Sequence, residues 1–414
     1  MKKKLIIDGV LLFLIGCITS LSLPPYNYFF VNFFTLTSIF IFLIKKSKIH
    51  KKKNLFFFYG WLFGFGFFMT NLYWISFSLT FDENFKFLIP LTLLLIPTFL
   101  SIFFGLIFLF FIILKPKNLI SSFLVFSLLF SVLEFLRGSI LTGFPWNLIV
   151  YSFSDQIRIL SIISIIGTYG FNLFCISLFI SPALIILRDS KKDLIVCFIF
   201  IISFILFYVH GFYYEKKFIS LEKKFFDYKI RSIGSNISLD RFYVNVDPTS
   251  ILEELIKISN PVSEEKTIFV WPEGILPIFS QDQISDLEKI IEENFSRNHL
   301  LIIGSNTEII DKGSKKFFNS LSVYDNKLNL LSSYNKIKLV PFGEFLPFEK
   351  VLKTLGLKSL TNNYQSFSRG EERKIINIEE KNFSLKVLPL ICYEIIYSGK
   401  LFDKADFDFI VNIS

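Results

Sequence analysis

Along the first 214 residues apolar positions run together instead of alternating. Seven stretches, near 5–23, 29–44, 55–80, 87–114, 119–136, 159–187 and 194–213, approach or exceed the roughly 20 residues that cross a bilayer as a helix. Short charged links separate them. From about Glu215 the pattern changes to that of an α/β domain. The runs "YKIRSIGSN", "KTIFVW", "HLLIIGSN", "FFNSLSVYD", "LNLLSSY", "FSLKVLPLI" and "FDFIVNIS" read as strands. Between the second and third, "SQDQISDLEKIIEENFSRN" opens with a capping box from Ser280 to Gln283. It then repeats Ile284, Leu287, Ile291 and Phe295 at helical spacing. Several strands are nearly continuous apolar runs, which predicts a sheet covered on both faces. The pattern therefore predicts a membrane domain over 1–214, with about seven transmembrane helices, and an α/β domain over 215–414.

Composition supports the membrane reading. Of 414 residues 52% are hydrophobic, 55 are Phe and the mean hydropathy is +0.54, too apolar for an ordinary soluble domain. The net charge of +9 is not a nucleic-acid footprint, because no nucleic-acid module is visible and most of the excess sits between spans. Lys2, Lys3 and Lys4, then "KKSKIHKKK", "KPK" and "RDSKK" place fourteen cations in alternate links; the intervening links carry only Lys86, Arg137 and Arg158. Lys and Arg stay cytoplasmic. With the N-terminus inside and an odd number of spans, the α/β domain is expected outside the cytoplasm. The first span has no small-residue cleavage site and runs into "SLPPYN", so it reads as retained.

Polar residues within the apolar half have structural readings first. Glu134 and Arg137 lie three apart on one helix face and can pair, which is favoured over a substrate role. Trp146 in "GFPWN" reads as an interfacial anchor.

Three strand ends in the polar half carry reactive groups. "FVWPEG" delivers Glu273, "SSYNKIKLVPFGE" delivers Lys336 with Glu344 shortly after, and "LPLICYE" delivers Cys392. Loops at the carboxyl ends of strands in α/β sheets face one crevice. Singly each residue is unremarkable, since a lone Cys is usually a small buried hydrophobe. Together they form a set. A thiol with a pKa of about 8.5 needs a base to expose its thiolate, and Glu273 can take the proton. Attack on a carbonyl makes an oxyanion, which the Lys336 ammonium and backbone N–H groups can stabilise. Histidine does not supply the base: His50 and His210 fall in the membrane half, and His299 is expected at the end of a helix. Cys17, Cys175 and Cys197 lie within spans and should pack as small apolar residues.

"WPEGILP", "FFNSL", "YNKIKLVPFGEFLP" and "LPLICYE", in this order after a membrane half, resemble bacterial apolipoprotein N-acyltransferases, membrane-embedded members of the nitrilase, or carbon-nitrogen hydrolase, superfamily. The resemblance covers nearly the whole chain. It implies a nitrilase-like α-β-β-α sandwich on a polytopic α-helical base, with Glu273, Lys336 and Cys392 matching a Glu-Lys-Cys triad. Asn319, Glu344, Tyr393 and Glu394 match further positions important in the family. The implied reaction moves an acyl chain from a membrane phospholipid, through a thioester on the cysteine, to the N-terminal amine of a diacylglyceryl-cysteine apolipoprotein. The implied location is the bacterial inner membrane, with the catalytic domain facing the periplasm. No metal or organic cofactor is implied.

Two departures from the family pattern stand out. "NISLDRF" offers Phe242 where a Trp is expected, and the family continues past "DFIVNIS" through further strands and a final transmembrane helix. The sequence is thus expected to be C-terminally truncated and weakly active or inactive. Rival readings are a membrane-tethered nitrilase-like amidase, which would pass the acyl group to water, and a catalytically dead transport or scaffold protein.

Overall fold

The computed structural model describes residues 2–80, 83–114, 116–222, 225–236, 248–275, 284–311, 314–347, 366–399, 401–402, 404 and 406–414. The chain divides into two units, Met1–Glu222 and Lys223–Ser414.

The first unit is helical: α1 (Lys2–Thr19), α2 (Val31–Ile49), α3 (Lys53–Asn71), α4 (Ile89–Leu114), α5 (Leu119–Arg137), the short α6 (Ile157–Leu160), α7 (Ile163–Ile180), α8 (Pro182–Ile186) and α9 (Lys191–Ser220). Helix occupies each of the seven apolar stretches. Five of them, Lys3–Ser22, Phe85–Leu114, Leu119–Arg137, Ile163–Ile186 and Lys191–Ser220, are long and apolar enough to cross a membrane. The pair Lys53–Asn71 and Tyr73–Thr80, bent by 47°, qualifies together as a sixth. Helix α2 falls short of that measure because Lys45, Lys46 and Lys48 occupy its last turns.

Hydrocarbon is as apolar as Leu or Phe, so packing must hold such helices together. Two devices are visible. Gly16 and Gly66 let α1 and α3 approach until a Cβ on Gly16 would lie 2.1 Å from Phe63 O, and one on Gly66 2.2 Å from Phe13 O. Buried rings fill the interior, with Phe104 edge-on to both Phe63 (5.2 Å) and Phe130 (5.3 Å). Cys175 and Cys197 are buried among these residues as expected, and Cys17 is half-buried.

The second unit has a helix-sheet-sheet order. One sheet contains β1 (Lys229–Ser232), β2 (Thr267–Val270), β3 (His299–Asp311), β4 (Ser314–Tyr324) and β5 (Leu330–Asn335), in that spatial order. Strands β1, β2 and β3 are parallel, and β3-β4-β5 antiparallel. The other sheet contains β6 (Ile376–Glu380), β7 (Phe383–Ile391) and β8 (Phe409–Ile413), with β7 and β8 parallel.

Strand alternation sorts the apolar residues onto two faces. Phe269, Trp271, Leu301 and Ile303 pack against α10 (Pro248–Ser259) and α11 (Glu288–Asn294) with the turn before it, through Leu252, Leu255, Ile284, Leu287, Ile291 and Phe295. Ile268, Val270, Leu300, Ile302, Leu321 and Val323 face the second sheet, meeting Ile376, Ile378, Leu385, Val387, Ile391 and Val411. Coverage of both faces explains the continuous apolar runs. The fold is thus an apolar helical part followed by an α/β part with a mixed sheet.

Details differ from expectation. Strand β6 and helix α10 are additional elements. His299 begins β3 instead of ending a helix, because α11 stops at Asn294. Its ring bonds Val262 O (2.9 Å) and Ser296 N (3.0 Å) and is buried. The capping box at 280–283 and Phe242 lie outside the described residues.

Candidate active site

Glu273 lies in the turn just after β2, Lys336 directly after β5, and Cys392 directly after β7. The turn carrying Glu273 crosses β3 at Gly304, where a Cβ would lie 2.6 Å from Glu273 Cα and 2.8 Å from Pro272 O. Only glycine leaves room for that approach.

The Lys336 side chain is 1% exposed and lies between two carboxylates, 3.1 Å from Glu273 Oε1 and 2.9 Å from Glu344 Oε1. Asn319, on β4, bridges the same two oxygens through Nδ2, at 2.6 and 2.7 Å. Glu344 is fixed further by Val340 N–H donating to its Oε2 (2.8 Å). Burial pulls the Lys336 ammonium down, but Glu273 and then Glu344 outweigh it and hold the group above the ordinary lysine value. Lysine therefore stays charged here. An ammonium has three donors, and the two carboxylates engage two of them.

Cys392 adopts φ 55°, a left-handed conformation that a non-glycine residue rarely takes. Such strain persists only where the surroundings enforce it, and it turns the thiol out of the strand direction. The Glu273 carboxylate, Lys336 and the Tyr393 backbone all lie within electrostatic reach of the thiol. Burial and then the charge of Glu273 push the thiol up to about 11, against the lowering pull of Lys336. At neutral pH the sulfur carries its proton, and the Glu273 carboxylate is the neighbouring acceptor.

The remaining expected residues are neighbours. The Tyr393 ring lies 5.6 Å from Lys336 Nζ, and its hydroxyl donates to Leu339 O (2.6 Å). Glu394 points the other way, into the protein, and is fully buried. It accepts from the Ile337 and Lys338 N–H groups (3.0 Å each), from Ile391 N–H (3.0 Å) and from Tyr334 Oη (2.9 Å to either oxygen), and pairs with Arg373 Nη2 at 3.0 Å. The structure therefore brings Glu273, Asn319, Lys336, Glu344, Cys392 and Tyr393 into one cluster, with Glu394 behind it. Sequence reading missed Tyr334 and Arg373. Tyr334 shares a strand face with Lys336, a signal that was available; Arg373 sits in the charged run "EERK" before a short strand and offered none. Among the described residues no group of three or more His, Cys, Asp or Glu side chains is arranged to hold a metal ion.

Both parts of the chain resemble known proteins. Residues 15–181 match the family model of the apolipoprotein N-acyltransferase N-terminal domain, and residues 229–414 match that of carbon-nitrogen hydrolases. The apolipoprotein N-acyltransferase of Rhodopseudomonas palustris is 29% identical over 409 residues, covering 95% of this chain and 75% of that protein. Similarity to apolipoprotein N-acyltransferases thus runs along nearly the whole chain. Its relative of that name from Brucella melitensis is 28% identical over 97% of this chain and 77% of its own length. The one from Bradyrhizobium diazoefficiens is 29% identical over 93% and 73%. The α/β unit is accordingly nitrilase-like, and the helical unit is that of a membrane protein.

Proposed function

We propose that this protein transfers an acyl chain from a membrane phospholipid to the N-terminal amine of a diacylglyceryl-cysteine lipoprotein, through a thioester on Cys392. The observation that carries the reading is a strained, protonated thiol under the charge of Glu273, whose carboxylate is paired with a buried ammonium. As Sγ bonds to the ester carbonyl carbon, its proton passes to Glu273 and the carbonyl electron pair moves to oxygen. The third N–H of Lys336 and nearby backbone N–H groups stabilise that oxyanion, and one such donor is worth roughly 3–4 kcal/mol. Collapse breaks the ester C–O bond, and the lysophospholipid oxygen leaves with the proton held by Glu273. In the second half the lipoprotein amine attacks the thioester, Glu273 takes a proton from the amine nitrogen, and the Cys392 sulfur leaves and regains its proton. A thioester suits this order because it yields readily to an amine.

In this reading Glu344 and Asn319 hold Lys336 and Glu273 in register, and Tyr393 walls the ammonium. No metal or organic cofactor enters a step. The protein resides in the bacterial inner membrane with about seven spans over 1–214, and its catalytic domain, 215–414, faces the periplasm. Reporter fusions in the links at 45–53, 115–118 and 188–193 should report cytoplasm and fusions after Tyr214 periplasm. A cytoplasmic signal after Tyr214 would overturn this orientation.

The chemistry is tested by incubating the intact-length protein with phospholipid labelled in its acyl chain. A base-labile label on Cys392 that moves to a diacylated lipopeptide is expected. Rapid release of free fatty acid instead would indicate a hydrolase, and absence of label would remove the catalytic reading.

A further inference from the structure

The segment 366–373, which leads into β6, is bonded to the site along its length. Phe367 N–H donates to Glu344 O (2.8 Å), Ser368 N–H to Phe317 O (2.6 Å) and Gly370 N–H to Lys336 O (2.9 Å). Gly370 lies so close to β5 that a Cβ there would sit 2.2 Å from Asn335 O. Three residues on, Arg373 reaches inward. Its side chain is 10% exposed, its Nη2 lies 3.0 Å from Glu394 Oε1, its Nη1 donates to Leu401 O (3.3 Å), and its guanidinium covers the Tyr334 ring at 5.7 Å.

Glu394 has no solvent exposure, and a buried carboxylate is stable only when paired and fully hydrogen-bonded. Its partners divide into two groups. Ile337 and Lys338 N–H belong to the backbone that carries Lys336, whereas Ile391 N–H belongs to the backbone that carries Cys392. One carboxylate thus bonds the residue after the ammonium and the residue before the thiol, and holds the strained φ of Cys392 in place. We propose that Arg373 and Tyr334 are positioning residues that hold Glu394 as a fixed joint between the Lys336 segment and the Cys392 elbow. Neither touches the reacting atoms. Without Arg373 the buried charge is uncompensated; Glu394 then draws in water or turns away, and both segments shift together.

The inference rests on the thioester reading above and is tested on the same intact-length protein. Arg373→Ala should slow Cys392 acylation by roughly a hundredfold, the usual cost of a displacement near 1 Å. The apparent affinity for phospholipid should stay within about twofold, because no substrate contact is removed. Guanidinium ion at low concentration should restore part of the rate in Arg373→Ala and have no such effect on wild type, a response that general destabilisation does not give. Tyr334→Phe, which deletes only a hydroxyl, is the second variant and should slow acylation by about tenfold, matching the loss of one hydrogen bond to a charged group. If wild type forms no thioester, the catalytic reading fails and this inference with it. If wild type is acylated and folded Arg373→Ala is acylated at the same rate, the inference alone is overturned. Should Arg373→Ala not fold, a wild-type rate in Tyr334→Phe overturns it.

Discussion

Both units of the molecule bury a glutamate, a cation and an asparagine together, and the two clusters are built to different ends. In the helical unit Glu134 and Arg137 are each 2% exposed and lie 3.5 Å apart. Asn172 Nδ2 donates to Glu134 Oε2 (2.6 Å) and its Oδ1 accepts from Val150 N–H (2.9 Å). Arg137 closes on the carbonyls of Phe144 (2.8 Å) and Trp146 (2.6 Å) and on the faces of Phe68 and Phe144. These bonds tie the 143–150 loop to α5 and α7. In the α/β unit the trio of Glu273, Lys336 and Asn319 has instead a strained thiol within electrostatic reach of its carboxylate, and the Glu273 side chain keeps 19% exposure. A buried ion pair is therefore no evidence of catalysis by itself. What distinguishes the second cluster is a thiol beside it held in a left-handed backbone conformation and a carboxylate that stays partly exposed.

The comparison breaks most visibly at the nucleophile. Cys392→Ala should abolish acyl-enzyme formation, and Glu273→Gln or Lys336→Ala should slow it by about 10²–10⁴, the range for a general base or an oxyanion donor. Mass spectrometry of the protein after exposure to phospholipid reads all three. Substantial thioester in Cys392→Ala would remove the nucleophile assignment.

In the helical cluster the same kind of deletion should appear in stability instead. Arg137→Met leaves Glu134 as an uncompensated buried charge, which costs about 3–5 kcal/mol. The unfolding midpoint in detergent should fall, while acylation per folded molecule stays close to wild type. The double variant Glu134→Gln/Arg137→Met should recover much of the midpoint. Loss of acylation at an unchanged midpoint would instead give this pair a part in the reaction.

The two asparagines give a smaller and cleaner contrast. Asn172→Ala and Asn319→Ala each remove an amide that serves a buried carboxylate, a loss of about 1–3 kcal/mol. For Asn172 it should appear in the unfolding midpoint; for Asn319, in the acylation rate. Equal effects of both variants on both measurements would mean that the clusters do not differ in kind.

How much of this could be read from the sequence follows from how local each feature is. Glu273, Lys336 and Cys392 were legible because each follows an apolar run, and strand ends share a crevice. Ile284, Leu287, Ile291 and Phe295 were legible as one helical stripe, and all four are buried. Strand β6 was not, since "INIEE" is five residues long and two of them are charged; its place is set by pairing with β7. His299 was misplaced because the helical run before it gives no sign of stopping at Asn294. The contact of Arg373 with Glu394 joins a loop to an elbow after an intervening hairpin, and no periodicity reports such a pair. Glu134 and Arg137 were legible as a pair but not as a staple, because their loop and Asn172 partners are contributed by tertiary packing.

The smallest expected effect separates the two things that Glu273 does to the thiol. As a neighbouring negative charge it raises the Cys392 pKa, after burial the largest cause of a value near 11; as the proposed base it would accept the proton that attack releases. These act in opposite directions on the variant Glu273→Gln. Deleting the charge leaves burial and Lys336 in place, so the thiol should titrate lower than in wild type, by about one pKa unit, the size expected from removing one like charge at close range. More thiolate is then present at neutral pH, yet acylation should be slower, because no group remains to take the proton and return it to the leaving oxygen. The titration is read from the ultraviolet absorbance of the thiolate, as the difference from Cys392→Ala so that Cys17, Cys175 and Cys197 cancel. A thiol pKa in Glu273→Gln that is unchanged or higher would show that Glu273 does not face Cys392 as described. A lower pKa with faster acylation would show that Glu273 only represses the nucleophile and that another group accepts its proton.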